Sequence, residues 1–338
     1  MFHTHFPIRR RGLVAAAGAV FAVGLAVGPA AAQDGTLPDS VHFIVPGGAG
    51  GGWDTTARAV GEALTTSGIL DSASYENLSG GGGGVAIAHL IETADQQDDT
   101  LMVNSTPIVL RSLTGVFPQS FRDLTPIASV VADYAAFVVP GDSDIETWEQ
   151  VVEMYEEDPA SVKFAGGSVR GGMDHLVAAR AFQSGGMDPL AVGYIAYDAG
   201  GDAMAGLLSG ETEVLSTGVS EVVGQHQSGQ LRILAITAGE RLGELPDVPT
   251  LKELGYDMTF ANWRGFFGAP GLSDERADAY AQMLADMMET EEWVEIRDRL
   301  ALSDFYNARA DFVAFLEDNE AQMADLLGRL GVPCTRCE

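Results

Sequence analysis

The sequence predicts an α/β protein, and three observations lead there. Short β-branched runs alternate with helix-length stretches along most of the chain. Glycine-rich loops recur between a strand candidate and the helix that follows it. The composition is globular, 46 % apolar and 20 % charged over 338 residues, enough chain for a large core and about two domains.

Residues 1–32 read as an export signal. Arg9, Arg10 and Arg11 form its basic start, Leu13 to Val27 its uncharged run, and Ala30-Ala31-Ala32 the small residues of a cleavage site. The run falls short of the roughly 20 residues that cross a bilayer. Arg10-Arg11-Gly12-Leu13-Val14 also resembles a twin-arginine signal, and three arginines serve the general export route equally. Val41 to Val45 is the first strand candidate, ending at Pro46, and Thr55 to Leu64 has helical spacing. Ser74 to Asn77 leads into a glycine run; Leu101-Met102-Val103 reads as a buried strand, with Asn104-Ser105-Thr106-Pro107 as a turn or helix start. Ala135 to Val139, Val162 to Ala165, Gly193 to Ala196, Val214-Leu215 and Ile233 to Thr237 are further strand candidates. Helices are expected at Trp148 to Tyr155, His175 to Gln183, Ala203 to Leu208, Glu275 to Met288, Glu292 to Leu300 and Arg309 to Leu330.

Charge excludes whole classes of function. There are 48 acids against 19 bases, a formal −29, and the chain without its signal carries 16 bases and −32. Such a surface repels a phosphate backbone, so no nucleic-acid partner is expected. Lys163 and Lys252 are the only lysines and neither follows glycine, which rules out a Walker-type phosphate loop. Cys334 and Cys337 stand alone at the tail, and His42, His89, His175 and His226 are scattered. That pattern points to a small tail disulfide or two idle thiols, and to no metal site and no cofactor.

Three loops carry the functional information: Pro46 to Arg58, Asn77 to Gly84, and Gly166 to His175. A glycine loop feeding a helix start lets backbone N–H groups converge on an anion, with the positive end of the helix dipole behind them. Glycine also simply permits tight turns, but three such loops in one α/β chain favour a ligand crevice. The first loop fails as a dinucleotide fingerprint because Trp53 stands where glycine or alanine is required. Gly81-x-Gly83-x-x-Ala86 fits the relaxed pattern, as a five-glycine run fits almost any glycine template. No Gly-x-Ser-x-Gly elbow is present, since Val169 and Arg170 follow Ser168.

At these loops the chain resembles the extracytoplasmic solute receptors of the tripartite tricarboxylate transporter family, over roughly residues 41–332. The resemblance rests on Val45-Pro46-Gly47-Gly48 through Trp53-Asp54-Thr55-Thr56-Ala57-Arg58 and on Asn77 with its glycine run. It rests also on Tyr197-Asp198-Ala199-Gly200-Gly201 (with Ala196 where the family has proline), Leu231 to Ala235 and Leu245 to Thr250. Gly171-Gly172-Met173-Asp174-His175 and Asn262-Trp263-Arg264-Gly265 resemble the citrate and tricarboxylate branch.

The resemblance implies a type II periplasmic binding protein fold: two α/β lobes, joined by two crossing strands, with the ligand cleft between them. Lobe one would comprise residues 41–133 and 259–338, and lobe two 134–258, with crossings near Tyr134 to Val139 and Asp257 to Trp263. It implies a periplasmic receptor, not an enzyme, acting as a monomer. That receptor would capture a small organic carboxylate and deliver it to membrane transporter subunits, with tricarboxylates preferred over dicarboxylates. By carry-over, Gly50, Gly51, Gly52, Trp53, Asp54, Thr55 and Thr56 face one ligand carboxylate. Ser168, Arg170, Gly171 and Gly172 face it from the other lobe, and Thr106, Asp174, Tyr197 and Arg264 complete the site, with a hinge or cleft role for Arg264 weighed equally with direct contact. Arg58 is placed for an i,i+4 ion pair with Asp54. Arg170, without a helical partner, is favoured as a ligand contact. The competing reading is an exported α/β enzyme acting on a carboxylated small molecule, for which Asp174 and His175 are the candidate pair.

Overall fold

The computed structural model describes residues 37–329 and 331–337, so the signal segment lies outside the described residues. Ten strands and ten α-helices follow one another along it, in alternation except at β8–β9 and α8–α9. They are β1 (Ser40–Val45), α1 (Gly52–Thr66), β2 (Ser72–Asn77), α2 (Gly84–Glu92), β3 (Thr100–Ser105), α3 (Thr106–Thr114) and β4 (Thr125–Pro140). Then follow α4 (Trp148–Glu157), β5 (Lys163–Gly166), α5 (Met173–Ser184), β6 (Gly193–Ala196), α6 (Gly200–Leu208), β7 (Val214–Gly218), α7 (Val219–Gln227) and β8 (Leu231–Ile236). The chain ends with β9 (Ala261–Gly268), α8 (Asp274–Met288), α9 (Glu291–Arg299), β10 (Ser303–Ala308) and α10 (Arg309–Arg329). No helix among the described residues is long and apolar enough to cross a membrane.

Two sheet regions share one strand. β4 runs for 16 residues: Thr125 to Tyr134 pairs with β9 on one side, and with β10 on the other from Ala128 to Ala132. From Ala135 onward it pairs with β7 and β8 instead. The first region has the order β2-β1-β3-β9-β4-β10, parallel from β2 to β3 and antiparallel thereafter. In the second, β7, β5 and β6 are parallel to one another and β4 is antiparallel to β7 and β8. This parallel pairing explains why β1, β3 and β5 read as apolar runs without alternation, since helices cover both faces.

Each region has two apolar layers. In the first, Phe43, Val60, Phe266, Tyr280 and Trp293 pack on one face, and Ile87, Leu110, Phe267, Phe312 and Leu316 on the other. In the second, Phe137, Trp148, Phe164 and Phe182 fill one layer, while Leu207, Leu215, Val222 and Ile236 fill the other. Elements α2, α7 and β10 lie where no helix or strand is expected, and α3 begins at Thr106, where the sequence offers a turn or a helix start. β4 begins ten residues before its apolar signal at Ala135, because Pro126 and Asp133 interrupt the pattern. The tail cysteines form a disulfide. Thr335 N–H next to it donates to the Leu113 carbonyl at the end of α3, 2.8 Å away.

Candidate ligand-binding cleft

Two small cavities, about 110 and 80 Å³, adjoin along a shared wall of Trp53, Pro107, Gly167 and Ser168. Trp53 and Pro107 belong to the first sheet region and Gly167 and Ser168 to the second, so the wall is built from both. The larger cavity is closed by the Gly80–Gly83 run, Arg111, Val169, Tyr197 and Asp198. The smaller is lined by Gly52, Ser105, Met173, Asp174, Gly200, Glu221, Asn262 and Arg264. The first turns of α1, α3, α5 and α6 all contribute lining residues: Gly52 and Trp53, Pro107, Met173 and Asp174, and Gly200. With Glu221 in the first turn of α7, five helix N-termini bring their positive dipole ends to one place.

Loop one works mainly as scaffolding. Asp54 accepts from Gly50 N–H at 3.0 Å, Arg58 Nε at 2.9 Å and Asn77 Nδ2 at 3.1 Å, which fastens the loop to β2. Burial alone would raise its pKa, but these donors win and hold it low. Trp53 folds over Gly47 and donates from Nε1 to Ser105 Oγ at 2.9 Å. Thr56 is buried and accepts from Arg264 at 2.8 Å. Of the residues anticipated here, Gly52 and Trp53 line the cleft. Gly50, Gly51 and Thr55 line neither cavity, while Asp54 and Thr56 stand behind the wall.

Loop three is held by Ser168, whose hydroxyl accepts from Asp174 N–H at 3.1 Å, while its carbonyl accepts from the Tyr194 hydroxyl at 2.7 Å. Of the residues expected here, Ser168, Asp174 and Tyr197 line the cavities. Gly171 and Gly172, also expected to face the ligand, line neither cavity. Arg170 is a correction: it is exposed, lines neither cavity, and donates to the Tyr194 carbonyl at 3.3 Å. Its neighbour His175 also faces elsewhere, accepting from Gly171 N–H at 2.9 Å and stacking on Tyr194. Thr106 is buried, lines neither cavity, and its hydroxyl has no partner among the described residues.

Arg264, on β9 beside Ser105, lies at the floor. It is 3 % exposed and bonded to Asp133 Oδ2 at 2.6 Å, to Thr56 Oγ1 and to the Gly52 carbonyl. Glu221 approaches it at 4.0 Å. Burial pushes the Glu221 carboxyl up to about 8 against the pull of Arg264, with Asp174 and Asp133 adding to the rise. Burial likewise lifts Asp174 to about 6, opposed by hydrogen bonds from Ser168.

Arg111 is the cationic residue among several cleft residues that sequence reasoning missed. It stands on α3, one turn after Pro107, and is 2 % exposed. Burial pulls its pKa down to about 10, opposed by Tyr194 and Asp174. Among the described residues its side chain makes one hydrogen bond, a long one: NH1 donates to the Gly171 carbonyl at 3.4 Å. The available signal was a lone charge within the apolar run Ile108 to Leu113. Across the mouth of the same cavity, the Ser79 hydroxyl donates to Asp198 Oδ2 at 2.8 Å. Among the described residues no cluster of three or more His, Cys, Asp or Glu side chains could hold a metal ion.

Comparison with known proteins places this geometry in a context. A family model described as "Tripartite tricarboxylate transporter family receptor" matches residues 57–332. A protein of the gbd 5′ region of Cupriavidus necator is 23 % identical over 96 % of this chain and 99 % of its own length. The structure titled as periplasmic binding protein BugD superposes with a TM-score of 0.77, at 20 % identity, over 87 % of this chain and 98 % of that one. MatC from Rhodopseudomonas palustris, solved with bound malate, superposes with a TM-score of 0.74, at 18 % identity, over 85 % of this chain and 98 % of its own. The fold is that of the periplasmic binding proteins.

Proposed function

The chain belongs to the tripartite tricarboxylate transporter family of receptors, and from that premise we propose that it is an exported, periplasmic receptor for a small organic carboxylate. It captures a tricarboxylate such as citrate, or a dicarboxylate, and presents it to a membrane transporter of the tripartite tricarboxylate type. The observation that carries this reading is the convergence of helix N-termini on the smaller of two adjoining cavities. In a protein with a formal charge of −29, an anion must be held by local donors against the global field. Helix ends and loop amides supply such donors without adding charge. The malate in MatC, a protein of the same fold, agrees with a carboxylate ligand.

Capture is a closure of two lobes, residues 41–133 with 259–338 and residues 134–258, about a hinge where β4 changes partners at Tyr134 and Ala135. The Ser79–Asp198 and Arg111–Gly171 bonds are the contacts that opening would break. Catalysis by Asp174 and His175 draws no support from the geometry, since His175 lines neither cavity.

Thermal shift tests the reading most cheaply. A ligand at a hundredfold excess over Kd stabilises by about 2.7 kcal/mol, raising the midpoint by several degrees. Citrate, other tricarboxylates and C4 dicarboxylates are compared with neutral sugars and cationic amino acids at matched ionic strength, because salt alone screens the acidic surface. A carboxylate should stand out. A panel in which only sugars or cationic amino acids move the midpoint overturns the reading and leaves the fold untouched.

A further inference from the structure

We infer that Arg111 is the cation that grips the ligand, taking one carboxylate of the solute into the cavity between the Gly80–Gly83 run and Ser168–Val169. The inference rests on the carboxylate-receptor reading above and adds to it the residue that reads the charge.

The argument is one of unspent capacity. A guanidinium offers five N–H donors in a planar fork, and taking that charge out of water is costly unless it is paired. Arg58 is paired with Asp54, and Arg264 with Asp133, while Arg170 is outside the cavities. Arg111 lines the larger cavity, is 98 % buried, and has no carboxylate within ion-pairing distance among the described residues. Its Nε is buried without a partner, and NH1 has only the long contact to the Gly171 carbonyl.

The surroundings are shaped around this head group. Gly82 and Gly172 close on it from two loops 90 residues apart in sequence. A Cβ at Gly172 would overlap the guanidinium, and one at Gly82 would stand 3.0 Å from Nε. Gly82 also has a φ of +64°, which only glycine adopts without strain. Helix α3 aims the residue, since Pro107 and Arg111 are four apart on one face and Pro107 lines both cavities. A fork presented to a cavity of this kind matches a planar two-oxygen anion, so the group it receives is a carboxylate.

The test is calorimetry with citrate and malate, and with their neutral amides, on the parent, Arg111→Gln and Arg111→Lys. The parent should bind the acid and discriminate against the amide. Arg111→Gln should lose about ten- to a hundredfold in affinity for the acid and most of that discrimination, because a charge-assisted contact has gone. Arg111→Lys, a point charge without the fork, should fall between them. Unliganded melting curves and circular dichroism verify that each variant is folded; should Arg111→Gln fail to fold, the acid-over-amide ratio of Arg111→Lys decides. A parent that binds the acid, with variants that bind it equally well and discriminate equally, overturns the role of Arg111 while the receptor reading stands. A parent that binds neither acid and no other carboxylate overturns both.

Discussion

Arg264 and Arg111 are buried almost equally and both line the cleft, yet their surroundings are opposite. Around Arg264 a carboxylate, a threonine hydroxyl and a carbonyl accept three of its N–H donors, although its Nε, like that of Arg111, has no partner among the described residues; the partner carboxylate of Asp133 is itself held by Ser220. Around Arg111 there are glycine backbones and open volume. The first arrangement ties β9 and α1 to β4 at the base of the cleft, where the sheet changes partners. The second leaves a charge waiting for one. Burial of an arginine therefore does not mark a binding residue; the state of its donors does.

The sharpest way to break this comparison is to truncate Arg264. Arg264→Met strands the buried Asp133 carboxylate and should cost about 3–5 kcal/mol of stability, read as a fall in the urea unfolding midpoint. The double variant Arg264→Met with Asp133→Leu should recover much of that loss, since no lone charge remains. A single variant as stable as the parent would show that the pair does not hold the base of the cleft.

A smaller effect is expected from pH. Glu221 holds its proton up to about 8 in the folded protein, against an ordinary 4.5. An acid whose folded pKa is raised contributes stability that is fully present below the ordinary pKa and is lost as pH rises through the folded one. Chemical denaturation at constant ionic strength should therefore show stability falling by a few kcal/mol between about pH 4.5 and 8. Glu221→Gln should flatten that slope. A slope unchanged in the variant would assign the titration to other groups, Asp174 first among them.

The smallest stability effect should come from Arg111 itself. Arg111→Gln leaves no partner stranded, so the unliganded variant should melt with a stability within about 1 kcal/mol of the parent. A loss as large as that of Arg264→Met would mean the two arginines are alike, and would erase the contrast drawn between them.

The α/β class, the helices α1, α5, α8 and α10, and the glycine loops were legible in the residues, because periodicity and glycine placement are local properties. Trp53 and Ser168, from two of those loops, and Tyr197, named through the family resemblance, line the cavities. Strand β4 was only half legible. Ala135 to Val139 is apolar on both faces, whereas Thr125 to Tyr134 carries a proline and an aspartate whose place depends on β9 and Arg264. Arg170 looked like the better ligand because it sits inside a glycine loop, but its side chain turns to the Tyr194 carbonyl. Arg111 drew no notice, just beyond a stretch read as a turn or helix start. Local chemistry determined which residues could form loops and helices around an anion. Which arginine is spent and which is free depended on the arrival of Asp133, Gly82 and Gly172 from distant segments, because charge pairing is a property of neighbours in space.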